Sequence, residues 1–355
     1  MQELYFLPEF ALQGLGPDLR VHPSTRRSVV YVGLQTGDSF LPVGTGFVAA
    51  TDYREHRFFF FVTADHVVDL ISGDTVFIRM NTREGIAGPP IPISKTKKIE
   101  GIDRRHDLAI FPVPPIHNTY DADYVLLDRG EYKKILEEVW HPELGDEVAT
   151  VGLYTSHHGH TKNIPVVRVG HIAMMPDEPV MSTRGYVEAY LVEVRSILGL
   201  SGSPVCITIP PLRVGVNNKI EILDTGLGAV CIGMMLGYHL SASKEDEIVV
   251  PTFQQPPQDK KPDEESNGLS LDERNTGFAV VLPIECLFDV MESDAMKEKM
   301  DRAIDKAKGR VRAAGAPVAQ DVEKPDLLAN ELHPNGRERF NSLLDVAVKT
   351  PESKG

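Results

Sequence analysis

The sequence predicts a mainly β protein, a closed or packed β architecture followed by a C-terminal helical extension. Two observations carry this. Short runs of β-branched and aromatic residues recur between turn residues from Ser28 through Met235. After Pro283 the apolar spacing changes from strand-like to helical.

Taken in order, residues 1–25 hold proline and glycine without a sustained period and read as an N-terminal arm. Strands are predicted at Val29 to Leu34, Gly46 to Ala50 and Arg57 to Thr63. The last carries Phe58 to Phe61 and is expected to be buried on both faces. Thr75 to Arg79, Leu108 to Val113 and Glu147 to Gly152 continue the pattern. The spacing of Tyr132, Ile135, Leu136 and Val139 predicts a helix over 131–139. Val166 to Met174, Val187 to Val194, Val205 to Ile209 and Gly228 to Met235 are further strands. Residues 241–275 are polar and rich in Pro, Asp, Glu and Lys, cannot bury a core, and are expected to form a mobile acidic surface insertion. Strand texture returns at Thr276 to Pro283. Ile284, Leu287, Phe288 and Met291 then open a helical stripe that Met296, Met300 and Ile304 extend. Ala313 to Pro325 reads as a linker, and Phe340, Leu343, Leu344 and Ala347 mark a short final amphipathic helix. The division is therefore an arm (1–25), a β domain (26–292) with the insertion at 241–275, and a helical extension with a flexible tail (293–355).

A chain of 355 residues with 42% hydrophobic content can bury a substantial core. The net charge of −14 argues against a nucleic-acid or anionic-membrane partner, both of which need clustered Lys and Arg. The three cysteines, Cys206, Cys231 and Cys286, are no disulfide framework and fit a reducing compartment. Residues 1–20 show no basic start followed by an apolar core, so no signal peptide is expected. The expected location is cytoplasmic, without a transmembrane helix.

Chemistry is concentrated in three pieces. Leu198-Gly199-Leu200-Ser201-Gly202-Ser203-Pro204-Val205 places a serine between glycines, where the backbone can turn tightly and present bare N–H groups. A serine hydroxyl needs a base of intermediate pKa, and an imidazole supplies one. Thr63-Ala64-Asp65-His66-Val67-Val68 follows the Phe-rich strand and offers His66. His106-Asp107-Leu108-Ala109-Ile110 opens a strand with an acid that can orient the imidazole, although Asp103 is close by and competes for that role. The order His66, Asp107, Ser201 is that of the chymotrypsin-type triad and not that of the α/β-hydrolases.

These pieces, with Gly44-Thr45-Gly46-Phe47-Val48 and Gly277-Phe278-Ala279-Val280-Val281-Leu282-Pro283, make the chain resemble a chymotrypsin-fold (trypsin-like) serine protease. The likeness is closer to bacterial intracellular and HtrA-like members than to digestive enzymes, and it spans roughly residues 28–292. It implies two packed antiparallel six-stranded β-barrels, with His66 and Asp107 on the first and Ser201 on the second. It further implies Ser201 as nucleophile, His66 as general base and acid, Asp107 as orienting acid, and the amides of Gly199 and Ser201 as an oxyanion hole. The reaction would be peptide hydrolysis through an acyl-enzyme, with no metal and no cofactor. There are two departures. Leu200 stands where trypsin has an aspartate that pairs with a newly cleaved N-terminus, so that activation is not available. Ser203 replaces a glycine and is a rival hydroxyl, although Ser201 alone lies in the Gly-X-Ser-Gly frame.

By the same resemblance the substrate pocket would draw on Arg195, Leu198 and Gly233. No acid stands at Arg195, so a basic P1 side chain is disfavoured and a small or medium apolar one is expected. His157-His158-Gly159-His160 invites a metal reading, but no partner ligand follows the usual spacing and a solvated loop is expected. Cys206 and Cys231 are expected to be buried free thiols. Three functional readings stay open: an active endopeptidase acting on a protein or peptide substrate, a latent one switched on by a regulatory protein partner, and a catalytically silent binding or scaffold module acting through its insertion and helical tail.

Overall fold

The structure is a computed structural model. It describes residues 21, 23–37, 39–115, 119–138, 141–182, 184–194, 198–208, 212–214, 220–222, 229–240 and 275–313. The insertion expected at 241–275, most of the N-terminal arm and everything beyond 313 fall outside them, save Asn275. The chain divides into two compact units. One is Arg20–Ile209 with Ala229–Asp301; the other is Met1–Leu19, Pro210–Gly228 and Arg302–Gly355. The first unit carries the candidate site.

It begins with a short helix, α1 (Pro23–Ser28), and an antiparallel sheet. The strands are β1 (Val29–Thr36), β2 (Ser39–Tyr53), β3 (His56–Ala64), β4 (Thr75–Arg79), β5 (Ile91–Ser94), β6 (Leu108–Val113) and β7 (Val125–Leu126). Their order is β5-β4-β1-β2-β3-β6, with β7 added parallel to β2. Helix α2 (Asp65–Asp69) follows β3, and α3 (Arg129–Glu138) follows β7 close to the predicted span. Phe59, Phe60 and Phe61 are buried, as expected for a strand covered on both faces, and the Phe61 ring stacks on Phe111 at 5.7 Å.

The second half is a closed barrel. Its strands are β8 (Glu147–Gly152), β9 (Val166–Met174), β12 (Tyr190–Glu193), β13 (Pro204–Thr208), β16 (Ala229–Leu240) and β17 (Asn275–Pro283), in the order β12-β17-β16-β13-β8-β9. Two further pairs lie outside it: β10 (Pro179–Ser182) with β11 (Gly185–Glu188), and β14 (Leu212–Val214) with β15 (Ile220–Ile222), the latter in the other unit. Ile172, Val192, Ile232, Met234 and Val281 are fully buried and make its core.

The two-barrel plan is therefore present, with two refinements. The first barrel is not closed by strand pairing. A 3-10 turn at Lys95–Lys97 ends β5, and the seam to β6 is held by the Ile99 N–H donating to the Ile110 carbonyl at 2.8 Å. The single strand expected at Val187 to Val194 is two, because β11 pairs with β10 whereas β12 pairs with β17 and β9.

The helical stripe after β17 is also interrupted. Helix α4 (Ile284–Glu292) ends at Ser293, which is extended, and the Ser293 hydroxyl accepts from the Met296 N–H at 3.2 Å to cap α5 (Asp294–Ala313). Leu287, Phe288, Met291, Met296 and Met300 are buried. The Arg54–Asp301 ion pair at 3.0 Å adds a surface tether.

Candidate active site

Strand β3 runs off its sheet at Ala64 and turns directly into α2, so His66 is set at the end of a buried strand. Asp107 sits at the end of the 3-10 turn Arg104–His106 with φ of +47°, the left-handed region. A non-glycine residue there costs about 1–3 kcal/mol, a cost that is tolerated when its surroundings over-determine it. Here they do. The Asp65 N–H donates to the Asp107 carbonyl at 2.9 Å, and the His66 N–H donates to Asp107 Oδ1 at 2.9 Å. His66 Nδ1 donates to Asp107 Oδ2 at 2.6 Å. The Asp107 side chain is fully buried and the His66 ring is 15% exposed. With Nδ1 carrying the proton, Nε2 of the neutral ring is left as an acceptor.

Asp103, the competing acid, is otherwise engaged. It caps the 3-10 turn through the Arg105 N–H and holds the Arg105 guanidinium at 2.6 Å. Those bonds from Arg105 lower its carboxyl to about 2.

The Ser201 turn is held by backbone conformation. Gly199 has φ of +100° and Gly202 φ of +86°, values that L side chains rarely adopt. Gly202 could not carry a side chain in any case, since a Cβ would meet the Thr45 carbonyl and lie 2.6 Å from Thr63 Oγ1. Its N–H donates to the Met235 carbonyl at 2.8 Å on β16. The turn is stitched to the first sheet by Thr45 on β2. The Thr45 N–H donates to the Ser201 carbonyl at 3.1 Å, and its hydroxyl donates to the Gly199 carbonyl at 2.5 Å. The same hydroxyl accepts from the Leu153 N–H at 2.8 Å. Thr63, three residues before His66, donates its hydroxyl to the Thr45 carbonyl at 2.6 Å. One threonine thus links Ser201 to the strand that delivers His66.

Among the described residues no hydrogen bond joins the Ser201 hydroxyl to His66, and neither the Gly199 nor the Ser201 N–H donates to a protein acceptor. The rival hydroxyl is out of reach of solvent. Ser203 is fully buried and its Oγ is packed where a side chain on Gly152 would stand.

The expected pocket residues scatter. Leu198 is 51% exposed beside the turn. Gly233 is instead a wall glycine of the barrel, paired with Val205 and Pro283, and the space of its side chain is filled by the Leu282 carbonyl. Arg195 lies outside the described residues. The histidine run forms a 3-10 turn and loop after β8, in which His158 Nδ1 donates to the Thr155 carbonyl at 3.1 Å. Cys206 and Cys231 are free and face each other in register on β13 and β16; the Cys231 thiol and burial together push the Cys206 thiol up.

Two residues escaped the sequence reading. Thr45 sits inside a motif that was visible, but its bonds depend on the second barrel. Arg184, at the tip of the β10–β11 hairpin, gave no signal at all. Its Nε donates to Asp107 Oδ1 at 3.4 Å and its Nη2 to Asp69 Oδ2.

His66 and Asp107 thus come from the first sheet and the glycine-held Ser201 turn from the second barrel. The architecture is chymotrypsin-like. No protein-family model and no curated protein matches the chain. Among solved structures it is similar to the MamO protease domain from Magnetospirillum magneticum in its apo form, at 17% identity over 57% of this chain and 92% of that one, with a TM-score of 0.35. It is also similar to the Rv3671c protease in an inactive form, at 15% identity over 78% of this chain and 94% of that one, with a TM-score of 0.39. A serine-to-alanine mutant of Rv3671c from M. tuberculosis, also an inactive form, aligns at 15% identity over 77% and 90% of the two chains with a TM-score of 0.37.

Proposed function

We propose that the chain is a serine endopeptidase that hydrolyses peptide bonds through an acyl-enzyme. The observation that carries this reading is the His66–Asp107 pair at 2.6 Å, packed through Thr63 and Thr45 against a serine turn whose two N–H groups have no protein acceptor among the described residues. In this reading the Ser201 hydroxyl attacks the substrate carbonyl and passes its proton to His66 Nε2. The imidazolium that forms is held by the Asp107 carboxylate. The Gly199 and Ser201 N–H groups receive the developing oxyanion, a contribution of about 3–4 kcal/mol per donor in comparable sites. His66 returns the proton to the leaving amine, and a water then repeats the sequence to release the acid.

A partner-triggered form of the same enzyme is the second reading. It differs in requiring a protein partner to bring the Ser201 hydroxyl to His66, which no hydrogen bond joins among the described residues. Both readings are tested with a fluorophosphonate probe. An adduct that is lost in Ser201→Ala supports the enzyme, and an adduct that forms only after a protein partner is added supports the latent form. No adduct under either condition leaves the silent scaffold as the better account.

A further inference from the structure

We propose that Arg184 is a positioning residue for the His66–Asp107 pair, a guanidinium on Oδ1 of Asp107 whose charge opposes a second positive charge on His66. The role rests on the catalytic reading of that pair, but the contact does not.

The Asp107 carboxylate is approached from two sides. Oδ2 takes His66 Nδ1 at 2.6 Å, and Oδ1 takes the His66 N–H at 2.9 Å and Arg184 Nε at 3.4 Å. Arg184 also donates to Asp69 and lies 3.7 Å from Asp65 Oδ2, while Lys98 holds the other oxygen of Asp65 at 2.7 Å. Among the described residues the charged and titratable groups around the pair include Asp65 and Asp69 on α2, Lys98 after β5, Arg184 on the hairpin, and His106 on the turn into Asp107. Three carboxylates share two cations. The arginine is fixed from behind, its N–H donating to Ser182 Oγ at 3.2 Å and that hydroxyl donating to the Gly185 carbonyl at 2.8 Å. The side chain is 17% exposed, and every partner named is an acid of this cluster, so it is not arranged to bind substrate. Burial alone would lower its pKa, but the bond to Asp69 and the fields of Asp107 and Asp69 leave it raised, so the charge is permanent.

A fixed cation beside the pair opposes a second positive charge on the imidazole. Without it, Asp65 and Asp69 would favour the imidazolium, and the ring would stay protonated up to a higher pH.

The test is an NMR titration of protein labelled with 15N-histidine, the His66 signal being assigned with His66→Gln. In Arg184→Met the His66 midpoint should rise by about half to one pH unit. Arg184→Lys should return most of it. Arg184→Gln, which keeps a planar donor and loses only the charge, should match the methionine variant and serves if that one does not fold. An unmoved midpoint in the charge-removing variants overturns the proposal, even where probe labelling falls uniformly at every pH. Because the titration needs no turnover, an unreactive Ser201 in the unmodified protein would sink the protease reading and leave this result standing.

Discussion

The two halves of the site are built by different physics. On the first sheet, His66 and Asp107 are joined by charge and by satisfied hydrogen bonds, with both carboxylate oxygens engaged and the acid fully buried. On the second barrel, the Ser201 turn is shaped by positive-φ glycines, and two of its N–H groups have no protein acceptor among the described residues. The His66–Asp107 side rests on side chains, whereas the Ser201 turn rests on backbone conformation. Side-chain arrangements are sensitive to charge. Backbone arrangements are sensitive to shape and to the contacts that hold the turn in place, here Thr45 and the Met235 carbonyl.

The largest break in this contrast is Asp107→Asn. The amide can still accept from the His66 N–H but no longer enforces the Nδ1–H tautomer, so the rate of fluorophosphonate labelling should fall on the order of 10⁴-fold. The folded protein should persist, as judged by its thermal transition, because asparagine tolerates the left-handed backbone. A loss below about tenfold would mean that charge is not what the first sheet contributes.

Thr45→Val probes the other half. It keeps the shape of the side chain and removes the hydroxyl, leaving the Leu153 N–H and the Gly199 carbonyl without it. Stability to urea should drop by about 1–3 kcal/mol. Labelling should slow by roughly 10–100-fold, because the turn is displaced and not because chemistry is lost. Equal labelling in the two proteins would show that the glycines hold the turn alone.

The smallest effect is expected of Ser203→Ala. Its buried hydroxyl has no hydrogen-bond partner among the described residues, so removal should be neutral or slightly stabilising and labelling should change less than about twofold. A large loss would revive Ser203 as the reacting hydroxyl.

The same division explains what could be read in the sequence. Phe58 to Phe61, His66 and the Asp107-Leu108 junction were legible because strand periodicity and local turns determine them. Sequence alone does not separate Asp107 from Asp103; the contacts that do, one carboxylate on His66 and the other on Arg105, depend on the backbone of the turn. The place of Gly233 in the barrel wall depends on the pairing of β16 with β17, which local sequence does not carry. The open seam of the first barrel, the break at Ser293 and the reach of Arg184 all depend on where a chain turns and which distant partner it meets, and short-range pattern carries none of that.

In the proposed enzyme these two halves meet at one reactive hydroxyl. Peptide mapping of the fluorophosphonate adduct locates it. A single adduct on Ser201 is expected in the intact protein and none in His66→Ala. An adduct on Ser203, or one on Ser201 that forms equally fast without His66, would contradict this reading.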